Sequence, residues 1–334
     1  MNVPIIELQE LTKRFTKTLD LSEKIANRLG AKIRQQVVRA VENVNLQVAT
    51  GEVLGLVGES GCGKSTLGRI VAGTLDPSDG AIIYKGQNLS TLSPADRKQV
   101  ALKIQMIFQD PLASLNPRMR VRDIIGEAPR VHGLVSKFEA EAHVDDILLR
   151  VGLDPSYKRR YPHQFSGGQR QRIGIARALA VQPEFIVCDE AVAALDVSIQ
   201  AQVLNLFMQL REDFELTYLF ISHDIGVVEH LADRVAIMYL GRIVEMAPTE
   251  VLFDNPNHPY TQALLHEVPR LDMRRRKYEP IKGEIPSPLD PPTGCHFHPR
   301  CPFAMKRCPE EQPMLKEIAP QWWSACHLND EGGG

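Results

Sequence analysis

Apolar positions in this chain fall in short runs, separated by longer stretches in which they recur at helical spacing. The run Val53-Leu54-Gly55-Leu56-Val57 reads as a buried strand, followed by a glycine-rich turn and a helix from about Lys64. Phe185-Ile186-Val187-Cys188 and Tyr218-Leu219-Phe220-Ile221 predict two more buried strands. Val235 to Tyr239 and Arg242 to Glu245 flank Leu240-Gly241 in the manner of a hairpin. From about residue 94 to 180 the pattern turns largely helical, which predicts an inserted helical lobe. This alternation is the sign of an α/β domain. Leu19 to Lys32 has apolar residues at helical spacing between two strand-like segments and reads as a short amphipathic insertion. Prolines become dense after Asn255 (Pro256, Pro259, Pro269, Pro280, Pro286), favouring extended chain. A boundary there gives a first domain over 1–254 and a C-terminal extension over 255–334.

A formal net charge of -2 gives no electrostatic reason for nucleic acid as a partner. No stretch approaches the roughly eighteen apolar residues of a membrane span. The first residues, MNVPIIELQELTKRF, lack a secretory apolar core, so the chain is expected on the cytoplasmic side. Six cysteines in such a protein argue for reduced thiols or metal ligands rather than disulfides. Cys62 and Cys188 stand alone, whereas Cys295, Cys301, Cys308 and Cys326 cluster.

Gly58-Glu59-Ser60-Gly61-Cys62-Gly63-Lys64-Ser65-Thr66 matches the phosphate-loop pattern G-x-x-x-x-G-K-[ST], in its required setting between strand and helix. The glycines let successive N–H groups face phosphate oxygens, and the helix N-terminus adds its dipole. Lys64 is expected to reach the β- and γ-phosphates of ATP and Ser65 to ligate Mg²⁺. Cys62 fills a variable position of the loop. The second motif is an apolar strand ending in Asp189-Glu190. Asp189 is placed to hold Mg²⁺ and Glu190 to polarise the attacking water. Cys188 beside them reads as a small buried hydrophobe.

Phe165-Ser166-Gly167-Gly168-Gln169, just upstream, closely resembles the signature of ABC ATPases, with Phe165 where leucine is usual. That resemblance implies a P-loop nucleotide-binding domain with a RecA-like core, an antiparallel β subdomain and a helical subdomain. It also implies roles for further residues. Gln109 resembles the glutamine that senses Mg²⁺ and contacts the membrane subunits. Asp196, in Ala194-Leu195-Asp196, resembles the D-loop aspartate, and His223 the switch histidine at the γ-phosphate. Phe15 resembles the aromatic that stacks on adenine, although the insertion after it disturbs the usual spacing. In the family, Ser166, Gly167, Gly168 and Gln169 face the ATP held by the opposite subunit, so hydrolysis requires a dimer. Two departures stand beside the catalytic Glu190: Ala191 replaces the usual proline, and Ala193 a common serine. Neither removes a catalytic group.

Phe108 to Pro117, Asn255 to Leu265 and the cysteine region narrow the resemblance to the ATPases of dipeptide and oligopeptide importers, closest to the dipeptide type. The branch implies a second, homologous ATPase as heterodimer partner, two transmembrane permease subunits and, indirectly, an external substrate-binding protein. Peptide is the default cargo; nickel, glutathione, antimicrobial peptides and oligosaccharides are alternatives within the branch. A soluble ABC ATPase outside transport is the competing class, disfavoured because neither a long coiled coil nor a second cassette is present. The spacing C-x5-C-x6-C-x17-C is not that of a common zinc ribbon. The resemblance implies a [4Fe–4S] cluster on a small cysteine-rich domain, with Cys₄ zinc as the alternative.

Overall fold

The computed structural model describes residues 4–16, 27, 36–266 and 283–330; the expected insertion over 19–32 falls almost entirely outside them. Twelve strands are present among the described residues: β1 (Pro4–Thr16), β2 (Val37–Ala49), β3 (Val53–Val57), β4 (Asp79–Tyr84), β5 (Gln87–Asn88), β6 (Ile104–Ile107), β7 (Phe185–Asp189), β8 (Thr217–Ser222), β9 (Arg234–Tyr239), β10 (Arg242–Pro248), β11 (Lys316–Ala319) and β12 (Trp322–Ser324). The α-helices are α1 (Lys64–Val71), α2 (Pro94–Lys103), α3 (Pro111–Ser114), α4 (Val121–Val131), α5 (Ala140–Arg150), α6 (Gly167–Leu179), α7 (Val197–Phe214), α8 (Ile225–Leu231), α9 (Thr249–Asp254) and α10 (Pro259–His266). One antiparallel sheet runs β2-β1-β4-β5, and a larger one runs β11-β12-β10-β9-β3-β8-β7-β6. In the larger sheet β9, β3, β8, β7 and β6 are mutually parallel, and β10, β12 and β11 complete it antiparallel.

The unbroken apolar runs follow from burial of the parallel strands on both faces. Side chains alternate between two cores. Val53, Val57, Ile186, Cys188, Tyr218, Phe220, Val235 and Ile237 enter one core, beneath α6, α7, α8 and the helices of the lobe. Leu54, Leu56, Phe185, Val187, Leu219, Ile221, Ala236 and Met238 enter the other, with α1 and the antiparallel sheet. Gly55 faces the first core, and a Cβ there would sit 2.1 Å from Val228 Cγ1 of α8. Gly55→Ala is therefore expected to lower stability by about 2 kcal/mol through overpacking. The urea unfolding midpoint, read at constant slope, checks this.

Three features depart from the sequence reading. β6 interrupts the predicted helical lobe and pairs in parallel with β7, because four residues are too short to show a period. Proline density past 255 does not prevent a helix: Pro259 opens α10, where a missing N–H is no loss. Nor does the C-terminal extension form a core of its own. β12 pairs with β10 in the larger sheet, and Phe297 is buried in the first core. The separate cysteine-rich domain is thus not supported; too short to bury its own apolar groups, the segment completes the main sheet instead.

Candidate nucleotide site

Four adjacent parallel strands end almost level, since Val57 pairs with Ser222, Ile221 with Asp189, and Cys188 with Ile107. Crevices beyond the carboxyl ends of such strands are where open α/β sheets bind ligands. Residues 58–66 leave β3, Asp189 closes β7 before Glu190, His223 follows β8 and Gln109 follows β6. The topology thus gathers residues from four separate stretches of sequence.

The loop after β3 needs its glycines. Gly61 and Gly63 lie at φ +79 and +110, and a Cβ on Gly63 would meet the Ala40 carbonyl oxygen at 2.0 Å. Lys64 is buried; its Nζ donates to the carbonyl oxygens of Gly58 at 2.6 Å and Glu59 at 3.0 Å. The loop therefore curls around the ammonium. Cys62 is buried, and burial pushes its thiol above the ordinary range, as suits an incidental residue. Ser65 Oγ donates to Asp189 Oδ1 at 2.8 Å. Burial pushes the Asp189 carboxyl up, opposed by that hydrogen bond and by Arg69. A desolvated carboxylate beside a hydroxyl fits Mg²⁺, which takes few protein oxygens and completes its shell with water and phosphate.

Glu190 lies at φ +48, and its N–H donates to the Ile221 carbonyl oxygen at 3.0 Å. Its Oε2 accepts from Gln109 Nε2 at 2.6 Å and lies 3.3 Å from His223 Nδ1. Gln109 and His223 thus both meet the Glu190 carboxylate. Ala193 N–H donates to the Glu190 carbonyl oxygen at 3.1 Å, closing a tight turn, and Ala191 is buried. Alanine at 191 leaves the carboxylate aimed at its two neighbours.

Ser166 caps α6 in a reciprocal box: Gln169 N–H donates to Ser166 Oγ at 3.4 Å, and Ser166 N–H to Gln169 Oε1 at 3.1 Å. Phe165 is buried edge-on to Tyr157, so the unusual aromatic is a core residue. A Cβ on Gly168 would lie 2.5 Å from Ile199 Cγ2 of α7, whose N-cap is Asp196. Among the described residues, no hydrogen bond or ion pair joins Ser166–Gln169 to Gly58–Thr66. Phe15 is half-exposed and pairs with Val38, two residues from the Ala40 carbonyl that touches Gly63.

Cys295, Cys301, Cys308 and Cys326 line one small pocket with His258, Phe297 and His327. All are free thiols, and burial pushes Cys295 and Cys326 up to about 11. Among the described residues, however, no group of three or more His, Cys, Asp or Glu side chains is placed to hold a metal ion. The expected four-thiolate site is thus not supported: the thiols share a pocket wall without the close approach that one ion needs.

The sequence reading missed a contact between this segment and the phosphate loop. Arg300 donates to both carboxylate oxygens of Glu59, at 2.7 and 2.8 Å. Tyr260 Oη accepts from the Glu59 N–H at 2.9 Å. No local signal could reveal a pair 241 residues apart.

The ABC transporter family model matches residues 41–193, and the model of the oligopeptide/dipeptide transporter C-terminal region matches 244–308. The oligopeptide transport ATP-binding protein AppF of Bacillus subtilis is 52% identical over 97% of this chain and 97% of its own. The chain belongs to the ABC transporter ATP-binding proteins of the oligopeptide/dipeptide branch. Among solved structures, this ABC ATPase is similar to cbiO1 from Clostridium perfringens, part of the ABC transporter complex cbiONQ. That likeness has 25% identity and a TM-score of 0.62, over 76% of this chain and 92% of the other. It is also similar to the dimeric post-hydrolysis ATP-binding cassette MJ0796 bound to ADP and Pi, at 26% identity and TM-score 0.61, over 73% and 98%. Among the described residues of this ABC protein, no helix is long and apolar enough to cross a membrane.

Proposed function

We propose that this ABC ATPase is the motor of a peptide importer and works at the cytoplasmic face of the membrane through separate permease subunits. The observation that carries the reading is the convergence of Lys64, Ser65, Asp189, Glu190, Gln109 and His223 at four strand ends. Lys64 neutralises the β- and γ-phosphates, and Phe15 offers its ring to adenine. Mg²⁺, when bound through Ser65, Asp189 and Gln109, offsets charge on the phosphates. Glu190 orients and polarises the attacking water, while His223 and Gln109 hold its carboxylate and report the state of the γ-phosphate. Ser166 to Gln169 present a helix N-terminus that suits a phosphate held by another subunit; Asp196 lies on the same face. ATP then acts as the joint between two subunits, and its hydrolysis releases them.

The partner proposed is a second, homologous ATPase, with an external binding protein delivering the cargo. Support for peptide as cargo comes from the relatives' names, because an ATPase subunit carries no cargo pocket. For the four C-terminal thiols the reading is a [4Fe–4S] cluster, since a single zinc ion would need them closer together. Their common pocket is its support, since one thiolate per iron spaces the ligands more widely than a single ion does.

Uptake of a labelled oligopeptide by proteoliposomes holding this chain, its permeases and its partner ATPase, with the binding protein outside, tests the function. Uptake is expected to require internal ATP and to stop with Glu190→Gln. Uptake of nickel or an oligosaccharide in place of peptide would overturn the cargo and leave the motor standing.

A further inference from the structure

We propose that Arg300, from the C-terminal segment, is a positioning residue for ATP binding: it clamps Glu59 and so fixes the loop that receives the phosphates. The Arg300 side chain is 4% exposed and that of Glu59 19%, so the bidentate pair is largely out of water. A fork-to-carboxylate pair fixes direction as well as charge. Arg300 Nη1 also donates to Tyr239 Oη at 3.3 Å, and the guanidinium lies 5.9 Å from the ring centroids of Tyr239 and Phe297. Tyr260, whose ring lies tilted at 4.6 Å from that of Tyr239, accepts the Glu59 N–H. The carbonyl oxygen of the same residue accepts from Lys64 Nζ at 3.0 Å. Glu59 is therefore held at three points: its side chain by Arg300, its N–H by Tyr260 and its carbonyl by the phosphate-binding lysine.

The arrangement answers an electrostatic problem. A carboxylate at the second position of a phosphate loop shares a small volume with a triphosphate of the same sign. Pairing with Arg300 neutralises Glu59 and turns it toward the C-terminal segment. Without Arg300 an unpaired anion stands beside the ATP site, and one of the fastenings of the loop is lost. The main sheet alone does not provide this, which gives the segment after 255 a part in nucleotide binding.

The proposal rests on Gly58–Thr66 binding ATP, and the test separates the two. Mg·ATP affinity is measured by calorimetry on the full chain for the unaltered protein, Arg300→Ala, Arg300→Lys, Glu59→Gln and the double variant Glu59→Gln/Arg300→Ala, with thermal unfolding on the same samples. Arg300→Ala is expected to weaken ATP binding about tenfold. Arg300→Lys recovers part of this, since it restores the charge but not the fork. In the Glu59→Gln background the same Arg300→Ala change should cost less than about threefold, as coupled residues require. Equal weakening in both backgrounds overturns the clamp. So does a lowered melting temperature with unchanged affinity, the mark of a purely structural role. Should Arg300→Ala fail to fold, Arg300→Lys carries the test, with about threefold weaker binding expected beside Glu59 and none in the Glu59→Gln background, and unchanged affinity in both contradicting the clamp. An unaltered chain that binds no ATP would refute the nucleotide site itself.

Discussion

A Glu190→Gln chain is expected to retain ATP and to hydrolyse it about a thousandfold more slowly, the scale of a lost general base. Glu190 is the point at which Gln109 and His223 meet, at 2.6 and 3.3 Å from the same carboxylate oxygen. The amide keeps the size of the side chain but removes its negative charge, so the attacking water loses the group that polarises it. The turn that carries residue 190 depends on backbone contacts to Ile221 and Ala193, which the substitution leaves in place. Stability should therefore change by less than about 1 kcal/mol, as for substitutions that make no cavity and strand no buried group. Single-turnover hydrolysis and a denaturant melt on one preparation check both parts. A loss of hydrolysis below tenfold would remove Glu190 from the chemistry.

Lys64→Ala should act one step earlier, weakening ATP binding by about a hundredfold or more, the scale of charge-assisted contacts to a polyphosphate. The buried ammonium gathers the Gly58 and Glu59 carbonyls around itself, at 2.6 and 3.0 Å. Without it the loop loses both its central cation and the contacts that shape it. Lys64→Arg should rescue poorly. A planar fork cannot replace a compact ammonium, and a loop in which a Gly63 Cβ would lie 2.0 Å from a carbonyl has little room. Calorimetric titration with Mg·ATP measures the effect, and binding within threefold of the unaltered chain would contradict it.

Much of the ATP site was legible because its chemistry is local. The glycines, Lys64 and Ser65 are neighbours, and Asp189 and Glu190 close an apolar run whose burial on both faces leaves no alternation to misread. Gln109 and His223 stand out only by resemblance; their meeting at Glu190 depends on the order β3-β8-β7-β6, which periodicity does not encode. β6 was hidden among helices by its four residues. The C-terminal strands escaped notice because β12 has three residues and takes its place from β10. Arg300 lies in sequence between Cys295 and Cys301, and only the folded chain shows it on Glu59. The cysteines show the opposite: their spacing brought four thiols to one pocket but not into the close approach that a single metal ion needs.

The central claim is that ATP joins this subunit to a facing one across Lys64 and Ser166. The most direct test is the solution mass of the Glu190→Gln chain, alone and mixed with the proposed homologous ATPase, with Mg·ATP and with Mg·ADP. The account predicts a two-chain particle with ATP and separate chains with ADP. Separate chains at saturating ATP, in both the single and the mixed sample, would contradict it.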